Sequence, residues 1–128
     1  MSATWKYIKR KLDDSSTIRR TVYPFNVPQK AKPPYISYFL QDLEPVFTMD
    51  KTTTQKLEVW AVLTTDIDIK DAIENADAVV TLFNHGAGSS EGVTVKQSLW
   101  QSRSIPLVES DLQGDKVYQV VDTFEFRV

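Results

Sequence analysis

The chain has 128 residues, a formal net charge of −2, and ordinary fractions of hydrophobic (41%) and charged (25%) residues. These bound it to one domain, 1–128, with a modest core, and argue against nucleic-acid binding through phosphates, which needs a clustered basic face. With no cysteine, disulfides, thiolate zinc sites and cysteine nucleophiles drop out together; the start "MSATWKYIKR" has no apolar signal core and no run is long enough to span a membrane, so a soluble, cytosolically made protein is expected.

In chain order, Thr4 is placed to cap a first helix that carries Trp5, Ile8 and Leu12 on one face. Its basic residues Lys6, Lys9, Arg10 and Lys11 read as a solvated face. "DDSST" breaks that helix and starts a second helical turn through Arg20. Residues 20–40, "RTVYPFNVPQKAKPPYISYFL", hold four of the six prolines. Each fixes its own φ, removes a donor and pushes the residue before it into extended geometry. The segment is therefore a stiff lead-in that delivers Tyr35 to a strand, "YISYFLQDL", which Pro45 ends or marks as a sheet edge. In "TQKLEVWAVLT" the period of two places Leu57, Val59, Ala61 and Leu63 on an inward face, opposite Lys56, Glu58, Trp60 and Val62.

A helix over about Ile67 to Phe83 follows, with Ile69, Ala72, Ile73, Ala76, Val79, Val80 and Phe83 on one stripe. Asp66 or Asp68 caps its start, and Asn84, His85 and Gly86 close it. "HGAGSSEG" reads as a flexible loop. "VTVKQSLWQSRSIPLV" reads as one long strand with Val93, Val95 and Leu99 on one face and Trp100 on the other. After the "ESDLQGDK" turn, the last strand sets Tyr118, Val120, Phe124 and Phe126 together. Asp122 falls on that aromatic face, where a β-bulge that re-aims it is expected over a buried charge. The expected fold class is α+β: a mostly antiparallel sheet of about four strands with helices packed on one face.

No constellation in the sequence carries catalysis. His85 is a lone imidazole without metal-ligand spacing. The acids of "TDIDIKD" lack the glycine and distal Glu of a calcium loop, and "HGAGSSEG" lacks the Lys-Ser/Thr of a phosphate loop. No catalytic residue, cofactor or metal site is expected, and the chain is not read as an enzyme. Trp60 lies on the more polar face of its strand and is either packed under a helix or an exposed anchor for a partner.

The organisation resembles a family. The N-terminal helix, Tyr23-Pro24, Pro28-Gln29 and Pro34-Tyr35, the strand through Trp60, the helix to Phe83 and the closing "FEFRV" look like the tail-completion, or tail-terminator, proteins of long-tailed bacteriophages. "NHGAGSSEG" and "KQSLWQSRS" match no motif of that family. The resemblance implies a virion protein that forms a ring, commonly a hexamer, at the head-proximal end of the tail tube. There it ends tube polymerisation and joins the tail to the head connector. The implied partners are itself, the tail tube protein and a connector or stopper protein, with no sequence-specific nucleic acid and no membrane. A proline-stiffened segment suits such a ring, because it loses little entropy on docking. Interface candidates are Phe47, Thr48, Met49, Asp50 and Lys51 in one loop, Trp60, and His85, Gly86, Gly88, Ser89, Ser90 and Glu91 in another. Two rival readings are another small head–tail adaptor or minor tail protein, and a ligand-binding or enzymatic domain with a pocket near Trp60 and Trp100.

Overall fold

The computed structural model describes residues 3–18, 20–28, 31–47, 54–104, 107–110 and 116–128. Two helices, α1 (Thr4–Asp14) and α2 (Ile69–Phe83), accompany seven strands. These are β1 (Thr21–Pro24), β2 (Tyr35–Phe47), β3 (Thr54–Asp66), β4 (Gly86–Ser90), β5 (Val93–Arg103), β6 (Leu107–Ser110) and β7 (Lys116–Arg127). The sheet runs β1-β2-β3-β7-β5-β4, and β6 shares with β5 the same edge of β7. β1 and β2 are parallel, and the other pairs are antiparallel.

The expected four-stranded antiparallel layer with helices on one face is therefore overturned: the chain is mostly a mixed sheet, curled into a half-barrel. Three segments account for the difference. "TVYP" pairs with Tyr35–Tyr38 as β1. "GAGSS", too rich in glycine and serine to read as a strand, becomes one by pairing with β5. The long run from Val93 is two strands, β5 and β6. Helix α1 touches β1 at one end of the row and β4 and β5 at the other, so it lies across the hollow of the curl.

The proline-rich lead-in is the crossover between the parallel strands β1 and β2. It is pinned at Phe25, whose φ of 65° lies in the left-handed region. Asn26 N donates to Pro24 O across it at 2.9 Å, closing a γ-turn, and Phe25 N donates to Tyr38 O at 2.8 Å. The Phe25 ring sits 5.9 Å from Trp60, 6.2 Å from Trp5 and 6.4 Å from Tyr38, between centroids. Burial of that aromatic ring offsets the backbone strain of the turn. The Pro33–Pro34 peptide is cis. Among the described residues, 15–18 form a bend, where Ser15 Oγ accepts from Ile18 N at 3.2 Å, and the expected second helical turn does not form.

The face of β3 that turns inward is the opposite of the one expected. Glu58, Trp60, Val62 and Thr64 are buried beside Phe126, Phe124, Asp122 and Val120 of β7, whereas Leu57, Val59 and Leu63 stay half-exposed on the outer face. The helices settle the choice. Phe83 of α2 stacks edge-on against Phe124 and Phe126, and Tyr7 of α1 against Phe126. On α2, Asp68 is the N-cap, accepting from Lys70 N and Asp71 N. Asp66 accepts from Ile67 N and Asp68 N just before it and pairs with Arg20 at 2.5 Å.

Thr4 does not cap α1: Ala3 holds that position, without a side-chain bond. The Thr4 hydroxyl instead donates to Oε2 of Glu58 at 3.0 Å, while Trp60 Nε1 donates to Oε1 at 3.0 Å. Glu58 is fully buried, so its carboxyl group depends on these donors in place of water. Thr4→Val keeps the shape and removes one donor. It is expected to lower unfolding free energy by about 1–3 kcal/mol in urea titrations, with an unchanged m-value.

Candidate functional site

Strand registers place Phe47 and the second expected interface segment at one end of the sheet. The row Leu57–Arg127–Gln97 is the last in which β7 takes part. Beyond it, β2 and β3 continue as a two-stranded ribbon, Phe47 pairing with Thr54, and β4 and β5 continue to a tight hairpin, Ser90 pairing with Val93. Thr48, Met49, Asp50 and Lys51 lie outside the described residues. Phe47 belongs to β2, which runs past Pro45; β1 covers only Tyr35–Tyr38, so this half of β2 has a free edge, where a proline costs no ladder bond.

The second segment is a hairpin, not a loop. His85 is exposed with φ 57°, the left-handed residue that ends α2 after Asn84. Glu91 and Gly92, at φ 55° and 74°, make the two-residue turn whose twist suits a hairpin. Gly88 and Ser89 pair with Val95 and Thr94, and the hydroxyls of Ser89 and Thr94 meet at 3.0 Å. Gly86 is required by close approach: a Cβ there would stand 2.7 Å from Ser98 Oγ and 3.3 Å from Phe83 O. Ser98 cannot swing away without losing its bond to Phe83 O.

Trp60 is core, 1% exposed between Phe25 and Tyr38, and is not a surface anchor. Trp60 and Trp100 flank Phe124 in one cross-strand row, and Phe124 is wholly buried between them.

A polar cluster that sequence reading missed surrounds Trp100. Asp122 is buried on the aromatic face, and the bulge lies in the partner strand, between Trp100 and Ser102. That extra residue brings Arg103 opposite Asp122, with Nε at 2.8 Å from Oδ1. Arg103 also reaches Asp77 of α2 at 2.7 Å and lies over the Trp100 ring at 6.0 Å, while Trp100 Nε1 donates to Asp122 at 3.1 Å. Trp100, 40% exposed, is thereby held rigid at the surface. The spacing of Trp100 and Arg103 beside an unexplained acid was the available signal. Burial pushes the Asp122 carboxyl above the ordinary aspartate range, against the downward pull of Arg103 and Trp100.

Two further surfaces differ in charge. At α1, Trp5, Lys6, Lys9, Arg10, Asp13 and Glu91 line an open hollow of about 410 Å³. At the start of α2, Ile67, Ile69 and Ile73 are exposed beside Asp71 and Glu74. Among the described residues no group of three or more His, Cys, Asp or Glu could hold a metal ion, and no helix is long and apolar enough to cross a membrane.

No family model matches the chain, and no curated protein does. Among solved structures, a chain of the virion of a native gene transfer agent (GTA) particle shares the fold. It is 14% identical, with a TM-score of 0.68 over 94% of this chain and 90% of that one. Another solved chain, which carries no functional description, is 18% identical with a TM-score of 0.57, over 100% of this chain and 97% of that one.

Two outcomes test this geometry. Gly86→Ala is expected to cost about 1–3 kcal/mol of stability by overpacking, read as a lowered urea midpoint. For Asp122, a folded-state pKa above the unfolded one means that the folded state holds the proton more tightly. Its contribution is then full below the unfolded value, near about pH 4, and is lost as pH rises through the folded value. The stability advantage of the wild type over Asp122→Asn should shrink as pH rises from about 4; an advantage that grows with pH contradicts the burial effect.

Proposed function

We propose that the chain is a structural protein of a phage-like virion and acts as a tail terminator. In this reading it forms a ring of six at the head-proximal end of the tail tube, stops tube growth and presents a surface to the head connector. The observation that carries the reading is the fold shared over 94% of the chain with a component of a gene transfer agent virion. The Tyr-Pro, Pro-Gln and Pro-Tyr positions of the lead-in support the narrower assignment to a terminator.

The surface agrees with an assembly role. Ile67, Ile69 and Ile73 at the start of α2, and Phe39 and Trp100 on the sheet, are large and exposed, and exposed apolar surface is available for contact with a neighbour. The β2–β3 ribbon and the β4–β5 hairpin extend at the same end of the sheet. A two-stranded ribbon is marginal in water by itself, so a neighbouring subunit or the tail tube would stabilise it. No catalysis is assigned.

Deletion of the gene from the host that produces the particles tests the reading. Electron micrographs are expected to show tails of excessive and variable length alongside unjoined heads, restored by a plasmid copy. Particles of normal length and full joining overturn it.

A further inference from the structure

We infer that the acidic, isoleucine-bearing surface at the start of α2 docks into the basic, Trp5-lined hollow beside α1 of a second copy of this chain. The inference rests on the assembly reading above and names the surfaces that join the subunits.

Charge complementarity selects the occupant. On α1, Lys9 and Arg10 pair one turn on with Asp13 and Asp14, at 2.6 and 2.9 Å. Lys6 and Lys11 lie instead over the rings of Trp5 and Tyr7, at 5.7 and 5.6 Å from the centroids. Of the side chains that line the hollow, Lys6, Lys9 and Arg10 are cations and Asp13 and Glu91 are acids, an excess of one cation beside the Trp5 wall. On α2 the balance is reversed. Asp71 and Glu74 are exposed, and Lys70 approaches Glu74 only at 3.9 Å. Beside them Ile67, Ile69 and Ile73 are 61%, 41% and 37% exposed, an apolar patch that the subunit's own core leaves uncovered. Exposed isoleucines beside Asp71 and Glu74 fit a hollow in which Trp5 stands beside Lys6, with its net cation.

Position makes the contact directional. Asp66, one turn before α2, pairs with Tyr118 at one end of the sheet, whereas Glu91 of the hollow belongs to the hairpin that projects from the other end. Each copy gives one surface and receives the other. Such head-to-tail contacts generate closed rings when their rotation closes.

Charge reversal tests the contact. Light scattering coupled to size exclusion is run over a range of protein and salt concentrations on the wild type, Lys6→Glu/Arg10→Glu, Asp71→Lys/Glu74→Lys, and the variant combining all four. These residues are exposed, and circular dichroism confirms folding. The wild type is expected to self-associate, towards about 88 kDa for six 14.6 kDa subunits, and more weakly as salt rises. Each double variant should need about tenfold more protein for half-association, and the fourfold variant should recover most of that loss. Folded double variants that associate like the wild type overturn the interface, as does a wild type that stays monomeric at low salt. Neither result touches the deletion phenotype, so failure of this contact and failure of the assembly reading are told apart.

Discussion

A carboxyl group wholly removed from water must find donors inside the protein, and Glu58 finds them in Thr4 and Trp60. Much of the concave side follows from that need. The bond to Thr4 fixes the start of α1 over β3. The bond to Trp60 fixes an indole that packs against Tyr38 and Phe25. Tyr38 in turn donates its hydroxyl to Trp5 O at 2.6 Å, which returns the network to α1. Phe25 anchors the crossover that makes β1 parallel to β2. α1 also touches strands at both ends of the row, so its placement ties those two ends together. A half-satisfied network of this kind is worse than an apolar core, and here both carboxyl oxygens are met.

The second buried acid solves the same problem with a cation. Asp122 sits where an aromatic strand face needs an apolar residue, and β5 answers by inserting one residue and bringing Arg103 opposite it. Removing Arg103 would leave the buried Asp122 without its cation, which is costlier than never having the pair. Arg103 spans from Asp122 to Asp77, so the same contact ties α2 to the sheet. Asp66 repeats the pattern with Arg20, joining the end of β3 to the residue before β1. Each buried acid is used to dock one element on another.

The helices were the legible part of the sequence. The α2 stripe at Ala72, Ala76, Val79 and Phe83 follows helical spacing, and α1 buries Ile8 and Leu12 as that spacing requires. Strand faces were less legible because β3 is apolar on both sides. Trp60 and Val62 alternate with Val59 and Leu63, so period alone cannot choose an inner face; Glu58 looked like a solvent marker and is instead the docking point for α1. The register shift between Val95 and Ser98 breaks the period of β5, so Val95 and Trp100 share the inner side although their spacing sets them apart. "GAGSS" had no strand signal, since its pairing is supplied by β5. Of the expected interface residues, the hairpin from Gly86 to Glu91 and Phe47 share one end of the sheet, while Trp60 belongs to the core. That grouping depends on register, which no local pattern encodes.

The two apolar sides of β3 also bear on how the subunit works. A sheet that packs helices on one side and faces water on the other alternates apolar with polar residues. Here Leu57, Val59 and Leu63 remain half-exposed outside, Phe39 stands beside Ala61 on the same face, and Val121 pairs with Leu63. Thr123 and Glu125, both half-exposed, interrupt that face. Strands buried on both faces read as nearly continuous apolar runs, and β3 is close to that limit. The chain therefore spends its buried polar residues on internal docking and leaves apolar residues outside, on the sheet and on α2.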